Sequence, residues 1–143
     1  MDITSLLYFS VAFLLGGLYW KVLPGAFHLR LLIACVQGAV FEGRLRKIDE
    51  HVVMTDRVLL CDMDVNLHQN NSIYALIADI SRYHWVSRLL SGALIRNLGS
   101  VKIANGGISL FFLKEIGFLQ QFSVSTFCLG MDHKWRWVAW LLL

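Results

Sequence analysis

A polar turn joins a strand-like segment to a long helical segment near the middle of the chain. Val52 to Cys61 is rich in β-branched and apolar residues, which predicts a strand. From Asn71 to about Leu90, apolar residues recur at the i, i+3, i+4 spacing of a helix with one buried face. Asn70 or Asn71 is suited to cap this helix. The sequence therefore places a strand end with carboxylates, an imidazole and a helix N-terminus at one point.

Two carboxylates lie at the end of the predicted strand. If the strand stays extended through Asp64, the period-two alternation puts Val58, Leu60, Asp62 and Asp64 on one face. Mutual repulsion would then raise the pKa of at least one carboxyl group. The alternative is that one of them is solvated or caps the turn, and this is the interpretation we favour for Asp62.

Beyond Ser100 the sequence predicts strands and no further helix. The predicted strands cover Val101–Ala104, Ile108–Leu113, Phe122–Leu129 and Trp135–Leu143. Asn105-Gly106-Gly107 separates the first two, either as a tight hairpin turn or as a bulge in one long strand. One long helix followed by an antiparallel meander predicts an α+β fold with the helix packed on one face of the sheet.

The N-terminal segment is apolar and lacks charge from Ile3 to Trp20. A helix that crosses a bilayer needs roughly 17–25 apolar residues, so the segment is long enough. Asp2 stands where a signal peptide carries Lys or Arg, and no clear cleavage site follows, which argues against a cleaved signal. A buried core helix is the remaining alternative. We predict a single-pass membrane anchor over residues 1–21.

Residues 22–50 are predicted to form a juxtamembrane connector that is partly helical, either a second, weaker membrane-associated helix or an interfacial segment. Residues 51–143 then form the folded domain. Basic residues cluster after the anchor: Lys21, Arg30, Arg44, Arg46 and Lys47. Positive charge on this side predicts that the folded domain faces the cytosol. Asn70-Asn71-Ser72 matches the glycosylation acceptor pattern, so its modification would report the opposite orientation.

Charge and cysteine content exclude several functional classes. The net charge of +3 is explained by the basic flank of the anchor, so we expect no nucleic-acid partner. The three cysteines form no Cys-x-x-Cys or His/Cys ligand pattern, which predicts reduced thiols and no metal site. We find no glycine-rich phosphate loop and no Gly-x-Ser-x-Gly elbow, and we expect no cofactor.

The order of strand, Asp-x-x-x-His-x-Asn-Asn-x-x-Tyr turn, long helix and later strands resembles the hotdog fold. Within that fold the chain is most similar to the 4-hydroxybenzoyl-CoA thioesterase-like branch, and especially to its membrane-anchored members in the endoplasmic reticulum. The matching residues before and in the turn are Arg57-Val58-Leu59, Asp62, Asp64, His68, Asn70, Asn71 and Tyr74. Further along, Phe122-x-Val124-x-Thr126 and Leu129-Gly130-x-Asp132 also match. The resemblance covers most of the chain, including the anchor.

The resemblance implies a thioesterase that hydrolyses fatty acyl-CoA at the endoplasmic reticulum membrane and pairs as a homodimer. It also implies that Asp64 acts as base or nucleophile; the alternative is an aspartate that braces the turn. His68 would orient the acyl carbonyl or a water, or else bond to the backbone. The helix start at Asn70 and Asn71 would stabilise an oxyanion through its free N–H groups, although plain capping explains at least one of the two.

Two further candidates lie on the predicted helix. Tyr74 is expected in the core with its hydroxyl group reaching the turn. Asp79 stands where relatives of this fold often place a catalytic carboxylate, and the alternative is an i, i+3 ion pair with Arg82.

The chain also departs from the resembling family. Leu67 fills the position before the histidine where this branch often has glycine, which favours a non-catalytic acyl-binding or scaffold protein as the alternative function. The family's last core strand is not present before the sequence stops at Leu143. We therefore expect the hotdog domain to be C-terminally incomplete.

Overall fold

The computed structural model describes residues 2–90, 104–133 and 136–142. Within these ranges the helices are α1 (Ile3–Tyr19), α2 (Ala26–Val36) and α3 (Asn71–Leu89). The strands are β1 (Val52–Arg57), β2 (Gln121–Met131) and β3 (Arg136–Leu142), and they form one antiparallel sheet in the order β1-β2-β3. The predicted α+β class is confirmed.

Helix α3 follows its prediction closely. Asn70 has extended backbone angles, and its side-chain Oδ1 accepts a hydrogen bond from the Ser72 N–H at 2.9 Å, so it is the N-cap. The helix ends at Leu89, where we predicted an end near Leu90. The later ends considered from the sequence, at residues 91–92 and 97–99, lie outside the described residues.

The predicted strand through Asp64 is wrong in its second half. Strand β1 ends at Arg57, and a single 3-10 turn at Leu60–Asp62 redirects the chain. Asp62 and Asp64 therefore do not alternate along one strand face, and the expected pair of repelling carboxylates does not form. The reason is that Asp62 turns inward to a buried cation, as described below.

The predicted strand Ile108–Leu113 is also wrong. Residues 104–113 form no regular structure, and Phe111 and Leu113 are 85% and 95% exposed. At the Asn105-Gly106-Gly107 segment the Asn105 side chain accepts a hydrogen bond from the Gly107 N–H at 3.3 Å, and the described residues 104–113 contain no strand. Strand β1 pairs directly with β2, so this apolar segment has no partner strand there. Residues 101–103 of the other predicted strand lie outside the described residues.

The last two strands confirm their predictions. Strand β2 pairs with β3 from Val124↔Leu142 to Met131↔Arg136, with an irregularity between Cys128 and Gly130. Of the turn predicted between them, residues 134 and 135 lie outside the described residues.

Helix α3 packs on one face of the sheet through two hydrophobic clusters. One cluster contains Val58, Tyr74, Ile77, Ile116, Phe122 and Val124, and the other contains Leu45, Val52, Trp85 and Cys128. Each cluster joins α3 to residues of both β1 and β2 or their flanks, as predicted for a helix on an antiparallel sheet.

The first two helices differ in their surroundings. Helix α1 buries none of its residues, and the apolar stretch Ile3–Val22 is long and apolar enough to cross a membrane, at about 30 Å for 20 residues. Helix α2 instead packs against α3, with Ala34 and Cys35 buried and Gly38 in the turn that follows.

Candidate active site

The loop between β1 and α3 is closed by its own backbone. The Asp64 N–H donates to the His68 carbonyl at 3.0 Å, and the Asn70 N–H donates to the Asp62 carbonyl at 2.8 Å. The Gln69 N–H donates across to the Ile116 carbonyl at 2.9 Å. We call residues 62–70 the site loop. The bond between Asn70 and Asp62 joins the two ends of this loop at the start of α3, and the bond from Gln69 joins the loop to the segment that precedes β2.

His68 lies between two carboxylates. Its Nδ1 is 3.7 Å from Asp64 Oδ1, and its Nε2 is 3.5 Å from Glu115 Oε1. These distances are longer than hydrogen bonds, so a small rotation of the ring or entry of a water would complete either contact. The three side chains are partly or largely exposed, so they are accessible from solvent. The predicted proximity of Asp64 and His68 agrees with this geometry.

Glu115 was not found by sequence reasoning. It reaches His68 because the segment before β2 crosses the site loop, with His68 and Gly117 forming an isolated bridge. The sequence around Glu115 carries no motif that links it to a histidine so far away along the chain.

Asp62 caps the turn, as favoured from the sequence. Its Oδ2 accepts from the Leu59 N–H at 2.9 Å and lies 2.7 Å from Lys21 Nζ. The carboxylate is nearly fully buried, which removes it from contact with substrate.

Asn70 serves the helix rather than a ligand. Its Oδ1 accepts from both the backbone N–H and the hydroxyl group of Ser72, at 2.9 and 2.6 Å. The Asn70 carbonyl accepts from the Ile73 N–H at 3.0 Å. Asn70 therefore accepts hydrogen bonds from the N–H groups of Ser72 and Ile73, and the N–H group of Asn71 takes no part in these hydrogen bonds. Asn71 itself is exposed at the helix start.

Tyr74 is a core residue, as predicted. Its ring is buried and meets Phe112 edge-on, with centroids 5.2 Å apart. Burial, together with the negative charge of Glu115, raises the pKa of the Tyr74 hydroxyl group above its ordinary value of 10.0. The hydroxyl group therefore stays protonated at neutral pH and can act as a hydrogen-bond donor.

Asp79 is not part of the same cluster. It lies about 12 Å farther along the helix axis than Asn71, at 1.5 Å per residue. Its carboxylate forms the predicted i, i+3 ion pair with Arg82. Both residues line an open groove of about 610 Å³, whose other lining residues are Phe27, Ala75, Leu76, Tyr83, Asn105 and Ile108.

Nucleophilic thiol and metal chemistry find little support among the described residues. Burial and the neighbouring Asp62 carboxylate raise the pKa of the Cys61 thiol above 9.0, so it is protonated at neutral pH. No group of three or more His, Cys, Asp or Glu side chains in the described ranges could hold a metal ion.

Leu67 has a backbone conformation that favours glycine. Its φ of +63° is in the left-handed region, which costs about 1–2 kcal/mol for a residue with a Cβ. Its side chain is 75% exposed, beside His68.

We expect Leu67→Gly to raise the free energy of unfolding by about 0.5–1 kcal/mol, because relief of strain outweighs the greater freedom of glycine in the unfolded chain. Urea unfolding of the full chain in detergent measures the change. Val65→Gly is the matched control, since Val65 is 95% exposed without a positive φ, and it should lower stability slightly. Equal losses in both variants would contradict the prediction.

Comparison with known proteins identifies distant relatives. The chain is 26% identical to Thioesterase poxG of Penicillium oxalicum over 142 residues, which cover 83% of this chain and 46% of the relative. It is also 26% identical to the Saccharomyces cerevisiae protein named Probable thioesterase YBR096W over 141 residues, 89% of this chain and 60% of that protein. The chain thus spans about half of the length of these relatives. No family model and no solved structure matches. These distant similarities support a thioesterase family for this chain.

Proposed function

We propose that this chain hydrolyses acyl-CoA thioesters at a membrane. The observation that carries the proposal is the placement of the His68 imidazole between Asp64 and Glu115 at the start of α3. The names of the distant relatives, which carry the word thioesterase, support the same reaction.

Hydrolysis of a thioester needs a general base that removes a proton from the attacking water. The imidazole of His68, oriented by Asp64, removes a proton while the water oxygen attacks the thioester carbon. The C–S bond then breaks, and the thiolate of the leaving CoA takes the proton back from the imidazole. The products are a carboxylic acid and a thiol. In this proposal the N–H of Asn71 and the Tyr74 hydroxyl group supply hydrogen bonds to the developing oxyanion.

Membrane attachment belongs to the same proposal. Residues 1–21 are the anchor, and residues 22–50 are a connector that packs on the domain through α2 and Leu45. Residues 51–143 are the hydrolase domain, for which we propose a hotdog topology that faces the cytosol at the endoplasmic reticulum. The apolar α1 buries none of its residues, and this supports the anchor, since water is a poor surrounding for such a helix. The proposed substrates are fatty acyl thioesters, because hydrophobic acyl chains are available at a membrane. The proposed active form is a homodimer.

The test is hydrolysis of palmitoyl-CoA by the full chain. We expect Asp64→Asn to lower kcat/KM by about 100-fold, the usual contribution of a general base or its orienting partner. The substitution keeps an oxygen that can accept the Asn66 N–H, which Asp64 now binds at 2.8 Å, so the loop should keep its shape.

Asp49→Asn is the matched control, because Asp49 is exposed and lies outside the site loop. Its rate should equal that of the unmodified chain. If Asp64→Asn also hydrolyses palmitoyl-CoA at the unmodified rate, Asp64 has no part in the reaction.

The second candidate function is acyl binding without turnover. Leu67 favours it, because an exposed bulky side chain with a strained backbone stands directly before His68. Saturable binding of palmitoyl-CoA with no release of CoA would support this function.

A further inference from the structure

Lys21 is buried although it lies at the end of an exposed helix. It belongs to the short turn Trp20–Val22 that follows α1, where Trp20 and Val22 are 36% and 60% exposed. The Lys21 side chain is only 4% exposed. A lysine is almost never buried to this degree unless it is paired, so its surroundings call for a physical explanation.

The ammonium group of Lys21 is fully matched by acceptors. It lies 2.7 Å from Asp62 Oδ2, 3.1 Å from Asp56 Oδ1 and 2.8 Å from the Arg57 carbonyl. Three acceptors satisfy the three N–H donors of a lysine. The turn after α1 is therefore joined at one point both to the end of β1 and to the site loop.

The two carboxylates differ in their dependence on Lys21. Asp56 also pairs with Arg30 at 2.8 Å, and it is partly exposed. Asp62 is buried, and among the described residues Lys21 is the cation that forms an ion pair with it. Loss of Lys21 would thus leave the charge of Asp62 uncompensated, whereas loss of Arg30 would leave Asp62 paired.

Asp62 links Lys21 to the candidate site through its own hydrogen bonds. Its side chain accepts from the Leu59 N–H, and its carbonyl accepts from Asn70, the cap of α3. Asp64 follows two residues later in the same loop. A buried ion pair adds little net stability compared with apolar packing, whereas removal of one partner leaves a buried charge uncompensated.

We propose that Lys21 is a positioning residue for the candidate site: its contact with Asp62 holds the loop that presents Asp64 and the start of α3. The first helix is then part of the scaffold of the site as well as its anchor. The kinetic consequence rests on the proposed hydrolase function, while the structural consequence does not.

The test compares Lys21→Met with Arg30→Met in the full chain in detergent. Lys21→Met keeps the aliphatic stem and removes the charge. We expect the amides of Asp64 and Asn70 to exchange hydrogen at least about tenfold faster, with amides of the β2–β3 pair as internal reference. The kcat on palmitoyl-CoA should fall about tenfold or more with KM nearly unchanged, because misplaced groups slow the chemical step more than binding. Arg30→Met should leave the exchange and kcat close to those of the unmodified chain.

Unchanged exchange at Asp64 and Asn70 in Lys21→Met would overturn the proposal, and so would equal acceleration in Arg30→Met. If the unmodified chain hydrolyses no acyl-CoA, the proposed function fails and the exchange rates alone decide the role of Lys21. If Lys21→Met does not fold, Lys21→Met/Asp62→Asn removes the uncompensated charge and should fold. Faster exchange at Asp64 and Asn70 is then expected in the double variant, and exchange equal to that of the unmodified chain would overturn the proposal.

Discussion

Trp85→Ala should lower the free energy of unfolding by about 4 kcal/mol, which is typical when a large buried aromatic side chain is removed from a core. Trp85 is 2% exposed and joins Leu45 and Val52 to α3, with Cys128 on the neighbouring strand. The alanine variant loses this contact between helix and sheet and leaves a cavity that the flanking strands cannot close. Urea unfolding of the full chain in detergent measures the effect.

Trp85→Phe separates the effect of the indole N–H group from that of the aromatic ring. The Trp85 Nε1 has no hydrogen-bond partner among the described residues, so the indole N–H is buried at a cost. Trp85→Phe removes that group while keeping an aromatic ring, and it should cost much less than Trp85→Ala. Phe111→Ala serves as control, since Phe111 is 85% exposed and its loss should change stability by less than about 0.5 kcal/mol. A loss below 1 kcal/mol in Trp85→Ala would refute the assigned core.

Gly38→Ala is the second substitution with a large expected effect, a loss of about 3 kcal/mol, near the upper end for overpacking. A Cβ at position 38 would lie 2.7 Å from the His84 carbonyl oxygen and would also clash with Ser87 Oγ. The carbonyl belongs to the backbone of α3, so relief requires that the two helices move apart. His84 is 1% exposed at this interface, and its burial lowers the pKa of the imidazole below 6.5.

Two further variants separate the clash from a general effect of alanine. Gly107→Ala adds the same methyl group where nothing lies within 4 Å, and it should be neutral. Ser87→Ala removes one of the clashing atoms, so Gly38→Ala/Ser87→Ala should recover part of the loss. Unfolding midpoints report both comparisons. Equal stability of Gly38→Ala and Gly107→Ala would show that the turn after α2 does not approach α3 as closely as described.

Local sequence information was sufficient for the helix that organises the site. The helix cap and the apolar spacing of α3 act within a few residues, so the sequence predicted the spacing and a cap at Asn70 or Asn71, of which Asn70 is the one observed. Strands β2 and β3 were predicted from their apolar residues, and both form because they pair with each other. The apolar segment Ile108–Leu113 carries a similar pattern, but it forms no strand and has no partner strand within the described ranges.

The errors at the site arise from contacts between distant residues. Strand β1 ends early because Asp62 pairs with Lys21, 41 residues away, and no local preference reports such a pair. Glu115 reaches His68 by the same kind of long-range contact. The sequence could therefore predict Asp64 and His68 as neighbours in one loop, but it could not supply the groups that surround and hold them.

The sheet order has a kinetic consequence. Strands β2 and β3 are close in sequence and can pair early, whereas Arg57 and Gln121, at the near end of the β1–β2 ladder, are 64 residues apart. Closing the longer loop costs roughly 2 kcal/mol more in chain entropy than closing the hairpin. The Gln69 contact with Ile116 depends on the same closure. During folding, the loop with Asp64 and His68 should thus reach its final shape late, after the hairpin has formed.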